Sequence, residues 1–179
     1  MESFQKSLRR ISIRIYSNEG RITNIEVIDL ENMLIVYDSR FGSTEKMAKA
    51  IAEGAEDAGS KATLQKVDQI TKADLAKYSI ILFGSPTNYG TLSTKMRNFL
   101  DTLGKEDLKG KVGSTFGSYG WGGGAVEVMT IALRAFEMDV IEPGLARVPV
   151  DSFLLIDDCR SFGKRVAKEA MTRLQSKKK

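Results

Sequence analysis

The chain has no histidine. That single absence excludes serine-hydrolase triads, zinc sites of the usual type and a histidine-ligated di-iron centre. Cysteine is almost as scarce: Cys159 stands alone among 179 residues, so no internal disulfide and no cysteine-rich metal or iron–sulfur site can form. No apolar run approaches the length of a membrane helix. Met1 to Tyr16 carries Arg9, Arg10 and Arg14 without an uninterrupted apolar core, which is not the pattern of a secretory signal. A cytoplasmic protein whose chemistry is carried by a cofactor is the expectation.

What is present fits one globular domain. The chain is long enough for a substantial core, with 42% hydrophobic and 28% charged residues. The net charge is +4, and much of the excess lies between Arg160 and Lys179, with eight Lys or Arg against one acidic residue. Only Phe162 interleaves with those charges. A solvated helix face and a lysine tail are therefore expected there, with neither nucleic acid nor membrane as partner.

Residues 1–32 read as an extension. Ile11, Ile13 and Ile15 alternate with Ser12, Arg14 and Tyr16, the period of a half-buried strand. Ser17-Asn18-Glu19-Gly20 signals a turn, and Ile22, Ile25 and Val27 form a second apolar set. A β-hairpin results. It is too small to stand alone, so it must lean on the main domain or on a second subunit, making homo-oligomers through the hairpin an expectation.

From Met33 onward, over 33–179, strands and helices alternate. Met33–Tyr37, Ser79–Gly84 and Val112–Phe116 are nearly continuous apolar runs, as strands covered on both faces require. Ala62–Val67 is a more exposed strand, and short strands are expected near Val140–Ile141 and Ala146–Val150. Helices are expected near Thr44–Ala58, Lys72–Lys77, Leu92–Leu103, Val126–Glu137 and Asp157–Leu174. Such alternation predicts an α/β fold with a parallel, doubly wound sheet.

The three buried strands end in unusual loops. The first, Ser39-Arg40-Phe41-Gly42-Ser43-Thr44, passes directly into a helix. Backbone N–H groups at a helix N-terminus, with hydroxyls and Arg40 beside them, suit a phosphate. No Lys follows Gly42 in the manner of a triphosphate loop, so a monophosphate is expected. On this stretch alone a capped helix start serves equally well. The second loop, Ser85-Pro86-Thr87-Asn88-Tyr89-Gly90, and the third, Gly117-Ser118-Tyr119-Gly120-Trp121-Gly122-Gly123-Gly124, carry large aromatics among glycines. Asn88 is comfortable at positive φ and suits a tight loop. In an open parallel sheet all three loops lie at one edge, where ligands bind. A monophosphate at one end and a planar ring at the other describe a mononucleotide, best a flavin. A rival is Gly120-Trp121-Gly122-Gly123-Gly124-Ala125, which fits a dinucleotide fingerprint with Asp139 or Glu142 about twenty residues on. That reading leaves the first loop idle and gives Tyr119 and Trp121 no task.

These three loops resemble the flavin mononucleotide (FMN) loops of the flavodoxin family. Ser118-Tyr119-Gly120-Trp121 with a following glycine is most similar to the flavodoxin domain of flavo-diiron proteins. The resemblance covers 33–175 and implies a three-layer flavodoxin-like sandwich, a five-stranded parallel sheet in the order 2-1-3-4-5, and one FMN. By motif position, 39–44 would hold the phosphate. Pro86, Thr87, Asn88, Tyr89 and Gly90 with Ser118, Tyr119, Gly120, Trp121, Gly122 and Gly123 would hold the ring. Two departures stand out: Phe41 occupies a place where classical flavodoxins carry a hydroxyl, and the histidine-rich di-iron domain is absent. The resemblance implies an electron carrier between redox partners, with acidic docking surfaces expected opposite this basic chain. The alternatives are an FMN-dependent NAD(P)H:quinone or flavin reductase, and a flavin-free interaction module on the same fold.

Overall fold

The computed structural model describes residues 11–18, 21–149 and 153–177, and the side chains of 32–149 and 153–177. Of the expected turn Ser17-Asn18-Glu19-Gly20, Ser17 and Asn18 are still strand, paired with Ile22 and Arg21, while Glu19 and Gly20, the strand end at Val150 and the lysines at 178 and 179 lie outside the described residues.

The central strand is unusually long. β1 (Ile11–Asn18) pairs antiparallel with β2 (Arg21–Tyr37), whose 17 residues include both the hairpin's return strand and the first strand of the main sheet. The sequence reading divides the chain at 32/33, inside this strand. Between Arg21 and Tyr37 there is neither glycine nor proline, and the strand continues through a shift in its register with β4 between Asp29 and Met33.

The other strands assemble around β2. β3 (Lys61–Lys66) and β4 (Tyr78–Gly84) pair parallel on its two sides, and β7 (Val112–Ser118) pairs parallel with β4. The fifth strand comes in two pieces, β8 (Asp139–Val140) and β9 (Leu145–Arg147), each parallel to β7. Pro143 and Gly144 fall in the gap, and a proline cannot donate to the ladder. The main sheet therefore has the order 2-1-3-4-5 that the family resemblance implies. β5 (Thr87–Asn88) and β6 (Thr91–Leu92) form a separate small hairpin in the second loop.

Helices cover both faces. α1 (Ser43–Asp57) and α6 (Phe153–Ser176) lie on one side, where Met47, Ile51, Cys159, Phe162 and Val166 cluster with Met33, Ile35 and Leu82. On the other side α3 (Thr94–Asp101) and α5 (Ala125–Ala135) bury Met96, Leu100, Met129 and Leu133 against Leu34, Val36, Ile81 and Phe83. The short helices α2 (Lys72–Leu75) and α4 (Lys105–Leu108) close the loops at the other end of the strands. Strand residues alternate between the two cores, which is why β2 and β4 read as unbroken apolar runs.

α1 and α6 approach closely through glycine. A Cβ on Gly54 would run into the Arg160 carbonyl, and one on Gly163 into the Ile51 carbonyl. Cys159 lies fully buried in the same contact, and burial pushes its thiol up to about 12. Among the described residues no helix is long and apolar enough to cross a membrane.

Candidate functional site

β2, β4 and β7 are neighbours in the sheet and run the same way, so their C-terminal ends deliver the three loops side by side. Backbone bonds fasten the strand ends: Asp38 N–H donates to the Gly84 carbonyl at 2.9 Å, and Ser85 N–H to the Phe116 carbonyl at 3.1 Å.

The first loop turns at Gly42, whose φ of 83° is left-handed and caps α1. Ser39 folds over the new helix, its Oγ accepting from the Glu45 N–H at 3.2 Å. The first intrahelical bond runs from Lys46 N–H to the Gly42 carbonyl at 2.9 Å, leaving the N–H groups of Ser43 and Thr44 with no intrahelical partner. Arg40 and Phe41 are exposed, the guanidinium lying 5.2 Å from the ring centre. Glu45, the one acid in the first helical turn, is held by Lys49 at 2.9 Å and Lys66 at 3.3 Å, and these partners keep its carboxyl below the ordinary glutamate range.

The second loop is braced from inside. Ser85 is fully buried; its hydroxyl donates to the Pro86 carbonyl and accepts from Ser93 N–H, both at 2.9 Å. Asn88 lies in β5, and positive φ falls instead on Tyr89, at 50°, and Gly90, at 79°. This corrects the expectation for Asn88: β5 and β6 form a two-residue hairpin, whose central positions need φ above zero.

The third loop touches both others. Thr44 Oγ1 and Ser118 Oγ are 3.0 Å apart and buried, joining it to the first. Ala125 N–H donates to Thr87 Oγ1 at 3.4 Å, joining it to the second. A Cβ on Gly124 would strike the Gly90 carbonyl, and one on Gly117 the Ser85 carbonyl. Gly124 thus serves contact between loops. Tyr119 is half-buried, its N–H donating to the Arg147 carbonyl at 3.1 Å.

All the sequence-predicted positions lie on these three loops. The sequence reading missed the bracing roles of Ser85, Gly117 and Gly124. Their only signal is their placement beside Pro86 and within the third loop's glycines.

The rim is aromatic and uncovered. Tyr89 and Trp121 are fully exposed, and Phe41 is 86% exposed. Nothing lies within 4 Å of the Cβ position of Gly42, Gly90, Gly120 or Gly122. Open space beside helix N–H groups and hydroxyls at one end, and beside flat side chains at the other, fits a phosphorylated planar ring. Neither the second loop, 85–90, nor the third, 117–124, contains Asp or Glu. Among the described residues no group of three or more His, Cys, Asp or Glu could hold a metal.

A family model described as Flavodoxin matches residues 35–162. A flavodoxin of Aquifex aeolicus is 41% identical over 111 residues, covering 60% of this chain and 60% of that relative. An NAD(P)H dehydrogenase (quinone) of Sinorhizobium fredii is 36% identical over 113 residues, covering 50% of this chain and 57% of that protein. The match therefore spans little more than half the length of these curated relatives. Among solved structures, a flavodoxin from the domain Archaea superposes with a TM-score of 0.73 at 28% identity, covering 78% of this chain and 98% of that one. The flavodiiron protein of Giardia intestinalis also gives 0.73, at 24% identity over 82% of this chain and 37% of its own, a likeness of fold alone.

Proposed function

We propose that this chain, which belongs to the flavodoxin family, is an electron carrier that docks on redox partner proteins. FMN is the cofactor that flavodoxin family proteins bind. The observation carrying the proposal is the joining of three strand-end loops, by Thr44 to Ser118 and by Gly124 against Gly90, beneath an uncovered aromatic rim.

In this reading the N–H groups of Ser43 and Thr44, with the hydroxyls of Ser39, Ser43 and Thr44, hold the phosphate, and Arg40 adds charge. Gly42 keeps the approach open, and Phe41 flanks it. Pro86 to Gly90 and Ser118 to Gly123 border the ring, with Tyr89 and Trp121 as its flat covers. When bound, FMN supplies one- and two-electron transfer. The chain's own part is to bind, orient and set the charge around the ring. With no acidic residue in either ring loop, negative charge added on reduction meets less repulsion here than beside an acidic surface. A second-electron potential less negative than in acidic flavodoxins is expected, and a potentiometric titration giving an equally low value would reject this.

A chain of net charge +4 favours partners with an acidic docking surface. Stopped-flow reduction should slow as ionic strength rises; a rate insensitive to salt counts against acidic partners. Another copy of the chain is a further partner, through the hairpin.

The 36% identity to a protein named as a quinone dehydrogenase favours a second reading, an FMN-dependent NAD(P)H:quinone reductase. Steady-state NAD(P)H oxidation with a quinone separates the two. Turnover by the purified protein supports the reductase, and reduction only by a protein partner supports the carrier.

A further inference from the structure

We propose that β1 is a dimerisation edge: two copies pair β1 to β1, antiparallel, about a twofold axis, making a four-stranded ribbon from two hairpins. This rests on the self-association through the hairpin proposed above and specifies how it occurs.

The observation is an edge that no strand covers among the described residues. Asp29 of β2 pairs with β1 and also with β4, so β1 lies on the side of β2 opposite β4, in line with β3. Among the described residues β1 pairs with β2 alone, and its outer row of N–H and C=O groups has no strand beside it. Protein edges are ordinarily blunted by charge, proline, bulges or shortness. The other edges of this sheet follow that rule. β3 has Lys61 and Lys66 at its ends, β8 is two residues long, and β9 is three residues long and ends on Arg147. β1 does not. Its eight residues contain one charge, Arg14, and no proline, and its irregularity falls late, between Tyr16 and Ser17. A two-stranded ribbon is marginal on its own and gains from added strands.

A second copy is the occupant that the sequence pattern of β1 matches. With Ile13 on the twofold axis, Ile11 faces the partner's Ile15 and Ser12 faces the partner's Arg14, so apolar positions meet apolar and charge meets hydroxyl. Shifting the axis to Arg14 would oppose two guanidinium groups, which is destabilising. Shifting it to Ile15 would bring the irregular Tyr16–Ser17 step into the pairing. Pairing identical edges about a twofold closes the assembly at two copies.

The test uses the full chain and light scattering coupled to size exclusion. The wild type should run at about twice 19.8 kDa. Ser12→Lys sets like charges opposite each other twice per dimer and should weaken association about five- to tenfold. Ser12→Glu pairs with Arg14 across the axis and should tighten it. Circular dichroism checks the fold, and if Ser12→Lys does not fold, Ser12→Glu decides alone. A dimer that neither change affects overturns edge pairing while leaving self-association standing. A wild-type monomer, or an open-ended larger mass, overturns both.

Discussion

Thr44 Oγ1 and Ser118 Oγ lie 3.0 Å apart, 74 residues from each other in sequence, and both are buried. One lies in the first turn of α1, after the first loop, and the other closes β7, so a single hydroxyl pair ties the first loop to the third. Thr44→Val should leave the Ser118 hydroxyl buried without that partner, costing about 1–3 kcal/mol. FMN affinity, read by fluorescence titration, should fall roughly tenfold. Ser118→Ala should do much the same, and the double variant should cost less than the sum of the singles. Additive losses would show that the two loops act independently.

Trp121 is the chain's single tryptophan and is fully exposed. The flavin-free protein should therefore show the emission of a water-exposed indole. Adding FMN should quench it in proportion to occupancy. Trp121→Ala should weaken FMN binding while leaving the unfolding free energy within about 0.5 kcal/mol of wild type, since the ring is almost fully exposed in the free chain. An emission unmoved by saturating FMN would remove Trp121 from the site.

Gly54 and Gly163 invert the usual helix rule. Replacing a helical glycine by alanine normally stabilises by about 1 kcal/mol. Here each new methyl would meet a carbonyl of the opposing helix, at Arg160 or Ile51, and backbone cannot swing aside. Gly54→Ala and Gly163→Ala should each destabilise by about 1–3 kcal/mol as α1 and α6 are pushed apart. Urea denaturation measures this directly, and a stabilised variant would contradict the contact.

Glu137 follows α5 and bridges Lys105 and Lys109, both at 2.8 Å. Hydrogen bonds from these lysines hold its carboxyl down at about 2, from an ordinary 4.5. A depressed carboxyl stabilises the fold above its unfolded value and loses that contribution as the pH falls through its folded value. Between pH 4.5 and pH 2 the wild type should therefore lose stability more steeply than Glu137→Gln. Parallel acid titrations followed by circular dichroism check the difference, and superimposable curves would deny the bridge.

Much of this fold is legible in the chain because β2, β4 and β7 are buried on both faces. That burial makes Met33–Tyr37, Ser79–Gly84 and Val112–Phe116 read as strands without tertiary information. The loops stand out because glycine, proline and hydroxyl residues interrupt those runs abruptly. What escaped lay in short turns, in contacts between loops and in one strand with a broken apolar pattern. The positive φ at Tyr89 comes from a two-residue hairpin too short to have a period. The brace from Ser85 and the contact of Gly124 with Gly90 arise only when loops meet. The continuity of β2 across 32/33 was hidden by polar Asp29, Glu31 and Asn32, which interrupt the apolar pattern without interrupting the extended backbone.

β2 pairs with β1 from Arg21 to Asp29 and ends, at Tyr37, at the first loop. Ile13, the axis position, pairs with Val27, and the ten residues from there to Tyr37, at roughly 3.3 Å each, set the first loop about 33 Å from the joint. Copies joined through β1 would therefore keep their redox centres at opposite extremities, electrically insulated from one another. Each would charge and discharge through its own contact, and the assembly would behave as two one-site conductors sharing a handle.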